Sequence, residues 1–487
     1  LRSWLRCRRK AWLDRHGDVN QRRWTAHRNL LLDDQQRSFV ALLPHKPGHG
    51  LAACAAGEDG VVGLRLKGAG PSGERVEAHP PLLLRVAGQS RWGPFAYQPV
   101  LARQGRRITR EHQLPLALMG HLLEAYQAGP VPELLVLGGG GRRLERERIR
   151  LTSGLRKQLS DALRKLKADL ERPQPPSLAA DRRKCTLCSW RESCSRVAAA
   201  DGHLSEVSGI GAKRRDMLQE LGIHGLNDLA SANPERLAVE MERFGEQHGD
   251  VARALVAQAM AQRDGLVERL DSTLALPELQ GAPGVLLYDI ESDPDARHDF
   301  LHGFLRLPRQ SDGRWDLATA TYHPLLVMAE HGEQRSWLRL QRLLSRYDGW
   351  PILHYGETET LSLRRLAQRQ GASDAQLRRL KRRLVDVHAR IRSHWRLPLG
   401  SYGLKSVAAW RGFHWSQPGV DGARALLWWR QWLGEGPKRR GSRHGLAWIF
   451  QYNQDDCRAT WAVAEWLLKE DDLLKSGPVL DQPTAGR

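Results

Sequence analysis

The chain has 487 residues, too many for one ordinary hydrophobic core, and this length predicts two to four domains. Its hydrophobic content of 41% and mean hydropathy of -0.52 are typical of a soluble protein, and no apolar run reaches the ~18–20 residues of a membrane-spanning helix. Lys and Arg number 75 against 55 Asp and Glu, and such a basic surface attracts phosphate backbones, although arginines that merely solvate helices give the same balance.

The N-terminal region, residues 1–200, mixes helix-like and strand-like patterns and ends in a cysteine triplet. Its first residues are basic, but no apolar stretch follows, so we expect no secretory signal, no membrane association and a cytoplasmic protein. The triplet has the spacing C-x2-C-x5-C, formed by Cys185, Cys188 and Cys194, and Cys7 lies far upstream. Four thiolates in a reducing compartment can hold a [4Fe–4S] cluster or a zinc ion. The spacing therefore predicts a metal site.

One cysteine before and three after a nuclease-sized segment resembles the RecB-like nucleases, whose PD-(D/E)XK domain carries an iron–sulfur staple. The opening CRRKAWLDRHGD is similar to the branch of this family that appends an RNase H-like domain, and the resemblance covers nearly the whole chain. It implies that residues 1–200 form a RecB-like domain. It also implies a [4Fe–4S] cluster, with zinc as the alternative, on four ligands: Cys7, Cys185, Cys188 and Cys194.

The catalytic positions of that family do not match. The motif requires an Asp near the first strand, where Pro81 stands, and then an acidic residue and a Lys, where Leu101 and Arg103 stand. Gln113 still fits the helix that follows. We therefore predict a degenerate domain that keeps its shape and its cluster but has lost nuclease activity.

The middle segment, residues 201–275, is predicted to be a small helical domain. Its stretch VSGIGAKRRDMLQELGI resembles a helix–hairpin–helix element, in which Gly209 and Gly211 allow a tight turn that exposes backbone N–H groups to a phosphate. Lys213 and Arg214 begin the next helix. We interpret the segment as a sequence-independent DNA contact, with an ordinary helix connection as the alternative.

A Pro- and Gly-rich stretch at residues 276–284 is predicted to be a linker, and strand and helix patterns alternate after it, which predicts an α/β domain over residues 284–475. In the apolar run VLLYDIES, Asp289 and Glu291 stand two apart, so they share one face of a strand. Two carboxylates placed in this way repel each other unless a cation lies between them.

Near the C-terminus, Tyr452 and Asp456 stand four apart in a stretch with a helical pattern. This spacing places the phenol and the carboxylate on one helix face. A phenol beside a metal-bound carboxylate can orient the attacking water. The alternative is a packed tyrosine and a solvated aspartate.

Together, the D-x-E and Y-x-x-x-D patterns resemble the first and third motifs of the DEDD superfamily of 3′–5′ exonucleases, which have an RNase H-like fold. The second motif of that superfamily supplies one more acidic ligand from a helix that follows a strand. In LHYGETETLSLRRL, Glu359 is the best placed residue and Glu357 is the alternative. This departs from the family pattern, which has an Asp after an Asn and an aromatic residue.

Two further residues belong to the same resemblance. Asp386 matches an Asp of related domains, and we expect it to support the site rather than bind the metal. Lys405, in a stretch similar to S-Y-x-L-K-S of those domains, is a candidate phosphate contact, with a plain helix start as the alternative. The resemblance implies two divalent ions, Mg²⁺ or Mn²⁺, ~3.5–4 Å apart, and phosphodiester hydrolysis.

The sequence therefore predicts a multi-domain α/β protein with three parts: a degenerate PD-(D/E)XK domain, a small helix–hairpin–helix domain and an RNase H-like exonuclease domain. The leading hypothesis is a nuclease that acts on DNA or RNA through its C-terminal domain. One rival is a non-catalytic nucleic-acid-binding scaffold in which both nuclease sites have decayed. Another is an active N-terminal domain. The sequence indicates no particular protein partner.

Overall fold

The computed structural model describes residues 1–103, 107–131, 133–138, 145–179, 182–293, 298–328, 332–435 and 442–476. The chain forms two compact units, Leu1–Val197 and Ala198–Arg487. Within the described ranges, no helix combines the length and the apolarity that crossing a bilayer requires.

The first unit mixes both types of secondary structure. Its strands are β1 (Gly48–His49), β2 (Gly60–Val62), β3 (Leu66–Ala69), β4 (Arg75–Ala78), β5 (Leu82–Ser90), β6 (Gly93–Arg103), β7 (Leu134–Gly138) and β8 (Glu145–Ile149). Its helices are α1 (Arg2–Arg6), α2 (Arg8–His16), α3 (Ala26–Val40), α4 (Gly50–Ala55), α5 (Arg110–Gln127), α6 (Ser153–Leu170) and α7 (Arg191–Ala200).

A six-stranded sheet in the order β1-β2-β5-β6-β7-β8 forms the centre of this unit. β5 and β6 make an antiparallel hairpin, whereas β6 and β7 are parallel and are connected through α5. Parallel neighbours need such a crossover, and α5 buries its apolar face against the sheet together with α6.

The second unit begins with short helices and continues with an α/β domain. Its helices are α8 (Ala212–Glu220), α9 (Leu226–Ala230), α10 (Pro234–Glu242), α11 (Glu246–Gly249), α12 (Ala252–Asp264), α13 (Gly332–Arg346), α14 (Glu357–Arg369), α15 (Asp374–Arg383), α16 (Val387–His394), α17 (Leu404–Trp410), α18 (Gly422–Glu435) and α19 (Ser442–Ser476). Its strands are β9 (Glu268–Arg269), β10 (Gly284–Asp293), β11 (His298–Pro308), β12 (Thr321–Leu326), β13 (Ile352–His354), β14 (Leu384–Asp386) and β15 (Trp395–Arg396).

The stretch predicted to be a linker, residues 276–284, contributes side chains to the core of the domain that follows it. Leu276 and Leu279 are 1% and 2% exposed and belong to the core of the C-terminal α/β domain. Just before them, β9 pairs with β15, so that Arg269 lies opposite Trp395. The connection between α12 and β10 is therefore packed against this domain.

The C-terminal domain contains a five-stranded sheet in the order β12-β11-β10-β13-β14. Its central strand, β10, is antiparallel to β11 and parallel to β13. Leu286 and Tyr288 face a core formed with α13, α14 and α15, whereas Val285 and Leu287 face a core formed with α16, α17 and α19. Side chains alternate between the faces of a strand, so Asp289 continues the face that packs against α19.

Candidate active site

Three carboxylates meet where β10 ends. Asp289 and Glu291 extend from β10, and Asp456 extends from the middle of α19. One carboxylate oxygen of each lies within 4.8 Å of those of the other two. Glu291 and Asp456 are buried and Asp289 is half-buried. The geometry thus brings together residues that are separated by more than 160 positions in the chain.

The electrostatics of this cluster are unfavourable without a cation. Burial raises the pKa of Asp289 and of Glu291 well above the ordinary carboxyl values, and the nearby charge of Asp456 raises both further. Burial also raises the pKa of Asp456, to about 6. Carboxylates in this arrangement cannot all be ionised at neutral pH unless a positive charge compensates them. This donor set of hard oxygen atoms therefore fits a divalent cation.

Glu359 lies beside the cluster but outside the 4.8 Å group. It stands in the first turn of α14 and is buried, and its Oε2 atom has no hydrogen-bond partner among the residues that the structure describes. Burial raises its pKa to about 7, and the charges of Asp386 and Asp456 add to this effect. Glu357, the alternative, is exposed. An orphaned carboxylate oxygen beside three other carboxylates is a further available ligand.

Asp386 supports this region through the backbone. Its Oδ1 atom accepts hydrogen bonds from the amides of Gly356, at 3.0 Å, and Ala389, at 3.2 Å. It therefore caps α16 and fixes the residue that precedes α14. Since α14 carries Glu359 in its first turn, Asp386 determines where that carboxylate points.

The buried hydroxyl of Tyr452 faces the cluster from α19. Burial and the charge of Asp456 raise the pKa of this phenol above its ordinary range, so the hydroxyl stays protonated and can donate a hydrogen bond. Lys405 of α17 lies with its Nζ atom 5.1 Å from the centre of the Tyr452 ring. The charge of Lys405 lowers the pKa of Asp456 and of Glu291. Its Nζ atom donates to the carbonyl of Val420 at 2.6 Å.

The sequence analysis missed Asn453, a fully buried residue in the helix that carries Asp456. Its Nδ2 atom donates to Oδ2 of Asp289 at 2.6 Å, and its Oδ1 atom accepts from the hydroxyl of Tyr322 at 2.7 Å. Asn453 precedes Asp456 by three positions, so the helical period that paired Tyr452 with Asp456 also places Asn453 close to that face.

The sequence analysis also missed Trp415. Its Nε1 atom donates to Oδ1 of Asp456 at 2.6 Å. The next residue along, Ser416, donates to the neighbouring carboxylate of Asp455 through its backbone amide at 2.9 Å. Asp456 and Asp455 of α19 thus accept hydrogen bonds from Trp415 and Ser416, two consecutive residues of a loop. No pattern in the sequence indicates this pairing, since the two segments lie about forty positions apart.

A comparison with known families identifies this part of the chain. A model of the RNase_H superfamily matches residues 286–468, which include all four carboxylates of the candidate site. The C-terminal domain is RNase H-like. This RNase H-like domain indicates a nuclease-type activity and nucleic acid as the substrate class, and the acidic cluster at the end of its central strand could bind a metal ion. No curated protein matches the chain.

The four predicted cysteine ligands lie together in the first unit. Cys7, Cys185, Cys188 and Cys194 line one cavity with several cationic side chains, among them Arg9. Burial raises the pKa of the Cys194 thiol, whereas the Arg9 guanidinium beside it acts in the opposite direction.

Direct contacts hold the N-terminal helices against the cysteine triplet. Trp190, which is 2% exposed, donates from Nε1 to Oδ1 of Asp14 at 2.8 Å. Arg23 forms an ion pair with Glu192 at 2.9 Å. The two ends of the first unit are therefore joined around the cavity by contacts other than the cysteines themselves.

The positions where a PD-(D/E)XK motif would lie contain no cluster of carboxylates. Pro81 directly precedes β5. Since Leu82 pairs with Val100 of β6, extending this register by one residue places Pro81 opposite Leu101, which is buried in the core. Arg103 forms ion pairs with Glu145 and Glu147 of β8.

The predicted hairpin of the second unit has one strained glycine. Gly209 has a φ of +90°, which favours glycine, whereas Gly211 has a φ of −90° and is the N-cap of α8. The tight turn therefore depends on Gly209 alone. Lys213 is exposed, but the guanidinium of Arg214 donates to the carbonyl of Gly209 at 2.7 Å and so braces the turn.

Proposed function

We propose that the RNase H-like domain is a two-metal 3′–5′ exonuclease of the DEDD type, which hydrolyses phosphodiester bonds of DNA or RNA. The observation that carries this proposal is the convergence of Asp289, Glu291 and Asp456 to within 4.8 Å. Buried like charges at this distance destabilise a protein unless a cation compensates them. The orphaned oxygen of Glu359 supplies a fourth ligand.

Each residue of the proposed site has a separate task. The four carboxylates would hold two divalent ions, Mg²⁺ or Mn²⁺, and such a pair stabilises the attacking and the leaving oxygen of an in-line displacement. Tyr452 donates a hydrogen bond from a hydroxyl that stays protonated and orients the attacking water. Asn453 fixes the orientation of Asp289, and Trp415 fixes that of Asp456. Lys405 contributes the positive charge nearest to the substrate phosphate.

A digestion assay tests the proposal. The wild-type protein should shorten a 5′-labelled oligonucleotide in Mg²⁺ or Mn²⁺ and should be inactive in EDTA. Asp289→Asn and Asp456→Asn should each lower the rate by at least about 10²-fold, since each removes part of the charge that holds the cations. Glu357→Gln is the matched control, because it changes an exposed carboxylate in the same helical turn as Glu359. Activity that persists in Asp289→Asn overturns the proposal and directs attention to the N-terminal unit.

We further propose that the four cysteines bind a [4Fe–4S] cluster and that the first unit is not itself a nuclease. The four thiols line one cavity, which supports a shared site. Four thiolates are the ligand set of such a cluster, with one zinc ion as the alternative. Pro81 and Leu101 offer no metal ligand.

The helical hairpin of the second unit is proposed as a sequence-independent nucleic-acid contact. Gly209 exposes the turn, and Lys213 presents a cation beside the N-terminus of α8. A backbone phosphate is the ligand that such a helix start attracts. Lys213→Glu should weaken binding to all sequences about equally and lower the salt dependence of binding.

A further inference from the structure

A pair of tryptophans lies on α18 and α19, the two helices that also reach the acidic cluster. Trp428 of α18 and Trp448 of α19 contact each other with their ring centres 5.2 Å apart. Trp448 is 46% exposed, and Trp428 is half-buried. The guanidinium of Arg424 lies 5.8 Å from the centre of the Trp428 ring. We call these three residues the tryptophan patch.

The patch is continuous with the acidic cluster along α19. Trp448, Tyr452 and Asp456 follow each other at intervals of four, so they share one helix face. At the helical rise of about 1.5 Å per residue, Trp448 lies about 12 Å along the axis from Asp456. This distance spans roughly three stacked nucleotides at about 3.4 Å each.

α18 provides a second connection between the patch and the cluster. Its first residue is Gly422, and a Cβ atom added there would lie 3.9 Å from Oε2 of Glu291. Arg424 follows two positions later, and Trp428 lies one turn beyond Arg424. Along α18, Arg424 therefore lies in sequence between the residue that approaches Glu291 and Trp428.

The other tryptophans of α18 differ from those of the patch. Trp429 and Trp432 are 3% and 7% exposed, and Trp429 stacks on Phe300 of β11 with ring centres 4.6 Å apart. These two anchor the helix to the domain. Trp448 contributes less to packing than these two residues do, because nearly half of its surface remains in solvent.

We propose that the tryptophan patch is a stacking site for unpaired nucleobases of a strand whose phosphodiester lies at the acidic cluster. The inference rests on the proposed function, because it takes the strand to run toward the carboxylates. Every nucleobase has an aromatic face, so stacking on Trp448 is independent of sequence, and Arg424 adds a contact to the phosphate backbone. A paired base inside a duplex offers no free face, so the patch selects single-stranded ends.

Equilibrium binding of the full chain tests this inference separately from catalysis. The protein carries Asp289→Asn and is kept in EDTA, so that no cleavage occurs, and the probe is a fluorescein-labelled oligothymidylate followed by anisotropy. Trp448→Ala should weaken binding about tenfold, in line with the stacking of one base. Trp448→Phe should bind within about threefold of the parent, since it keeps an aromatic face. Trp24→Ala is the matched control, because Trp24 is 49% exposed in the first unit, and it should leave the affinity unchanged.

A second variant guards against misfolding. Trp448→Leu keeps an apolar contact with Trp428 but has no aromatic face, so it should lose affinity as Trp448→Ala does while its thermal unfolding stays close to that of the parent. The inference is overturned if both variants bind oligothymidylate like the parent, or if they lose affinity for a blunt hairpin duplex by the same factor. If the wild-type chain cleaves DNA but Trp448→Ala binds oligothymidylate normally, only the proposal that the tryptophan patch binds nucleobases is refuted. A wild-type chain that cleaves nothing refutes the enzyme proposal instead.

Discussion

At the scale of single residues, Gly303 explains why Asn453 can reach Asp289. Gly303 lies on β11 directly opposite Asp289, and a Cβ atom there would lie 1.6 Å from Oδ1 of Asn453. The amide of Asn453 therefore occupies the space that any other residue at position 303 would fill. Glycine is required here by a close approach, since its φ is not among the positive values.

We predict that Gly303→Ala lowers the free energy of unfolding by about 2 kcal/mol, because it overpacks a buried strand. It should also lower any metal-dependent hydrolysis about 10–100-fold, because Asn453 can no longer orient Asp289. Denaturant unfolding and the digestion rate measure the two effects. The double variant Gly303→Ala/Asn453→Ala removes the clash with Asn453 and leaves the close approach to the Tyr322 hydroxyl, at 2.8 Å, so it should be more stable than Gly303→Ala alone. Equal stability of the two would show that the clash is not the cause.

Glu359 makes the stability of the metal-free protein depend on pH. Its pKa is about 7 in the folded protein, against an ordinary value of 4.5. The folded state therefore binds this proton more tightly than the unfolded chain does. Its contribution to stability is complete below about pH 4.5 and is lost as the pH rises from about 4.5 to 7. Asp456, with a pKa of about 6, acts in the same direction.

In EDTA, the thermal unfolding midpoint of the wild type should fall as the pH rises through this window. Glu359→Gln should show a shallower fall, because glutamine carries no titrating proton. Glu357→Gln changes an exposed neighbour and should follow the wild type. A slope that is the same in all three proteins would contradict the assignment of the buried proton to Glu359.

At the scale of elements, a buried ion pair fixes α18 against the sheet. Arg430 forms two hydrogen bonds with the carboxylate of Asp293, at 2.7 and 2.8 Å, and both side chains are at most 10% exposed. Asp293 follows Glu291 along β10, so it lies near the proposed metal ligands without being grouped with them. The guanidinium compensates its charge and holds the helix that carries Arg424 and Trp428.

Arg430→Met should lower the free energy of unfolding by about 3–5 kcal/mol, because it leaves a buried carboxylate uncompensated. The double variant Arg430→Met/Asp293→Leu should recover most of this loss. Arg379→Met is the matched control, since it removes an exposed ion pair with Asp348 and should change stability by about 0–1 kcal/mol. Denaturant unfolding measures both effects. If the two single substitutions lower the free energy of unfolding equally, the buried Arg430–Asp293 pair stabilises the protein no more than an exposed ion pair does.

The strand and the helix that carry the site could be predicted from the sequence, because the apolar pattern of each segment follows a single periodicity, that of a strand or that of a helix. The run VLLYDI predicts a buried strand, and β10 contains it; the pattern around Tyr452 predicts a helix, and α19 contains it. The contacts of Trp415 and of Gly303 could not be predicted, because they depend on how a loop and a neighbouring strand approach these elements. The sequence favoured Glu359 over Glu357 but left both open, since they lie in one helical turn; in the structure Glu359 is buried and Glu357 is exposed.

At the scale of the whole molecule, the sequence indicated that residues far apart in the chain share one cavity. Cys7 and the triplet at residues 185–194 line one cavity, as expected of a common site. The boundary near residue 276 was harder to predict, because Pro and Gly mark a turn whether or not the intervening leucines are buried.

Cys7→Ser tests the proposed cluster. The anaerobically purified wild type should contain iron and sulfide and show visible absorption, whereas Cys7→Ser should lose most of both and unfold at a lower temperature, because the ends of the first unit lose a covalent connection. Cys54→Ala removes a buried thiol outside the cavity and should keep its iron. Zinc in place of iron and sulfide in the wild type would refute the cluster.

The central claim is that four carboxylates of the RNase H-like domain bind a pair of divalent cations. Titration of the metal-free protein with Mn²⁺, followed by calorimetry, tests it most directly. We expect two bound ions per chain in the wild type and the loss of at least one in Asp456→Asn, with Glu357→Gln unchanged. If Asp456→Asn binds Mn²⁺ with the stoichiometry and affinity of the wild type, the acidic cluster is not a metal site.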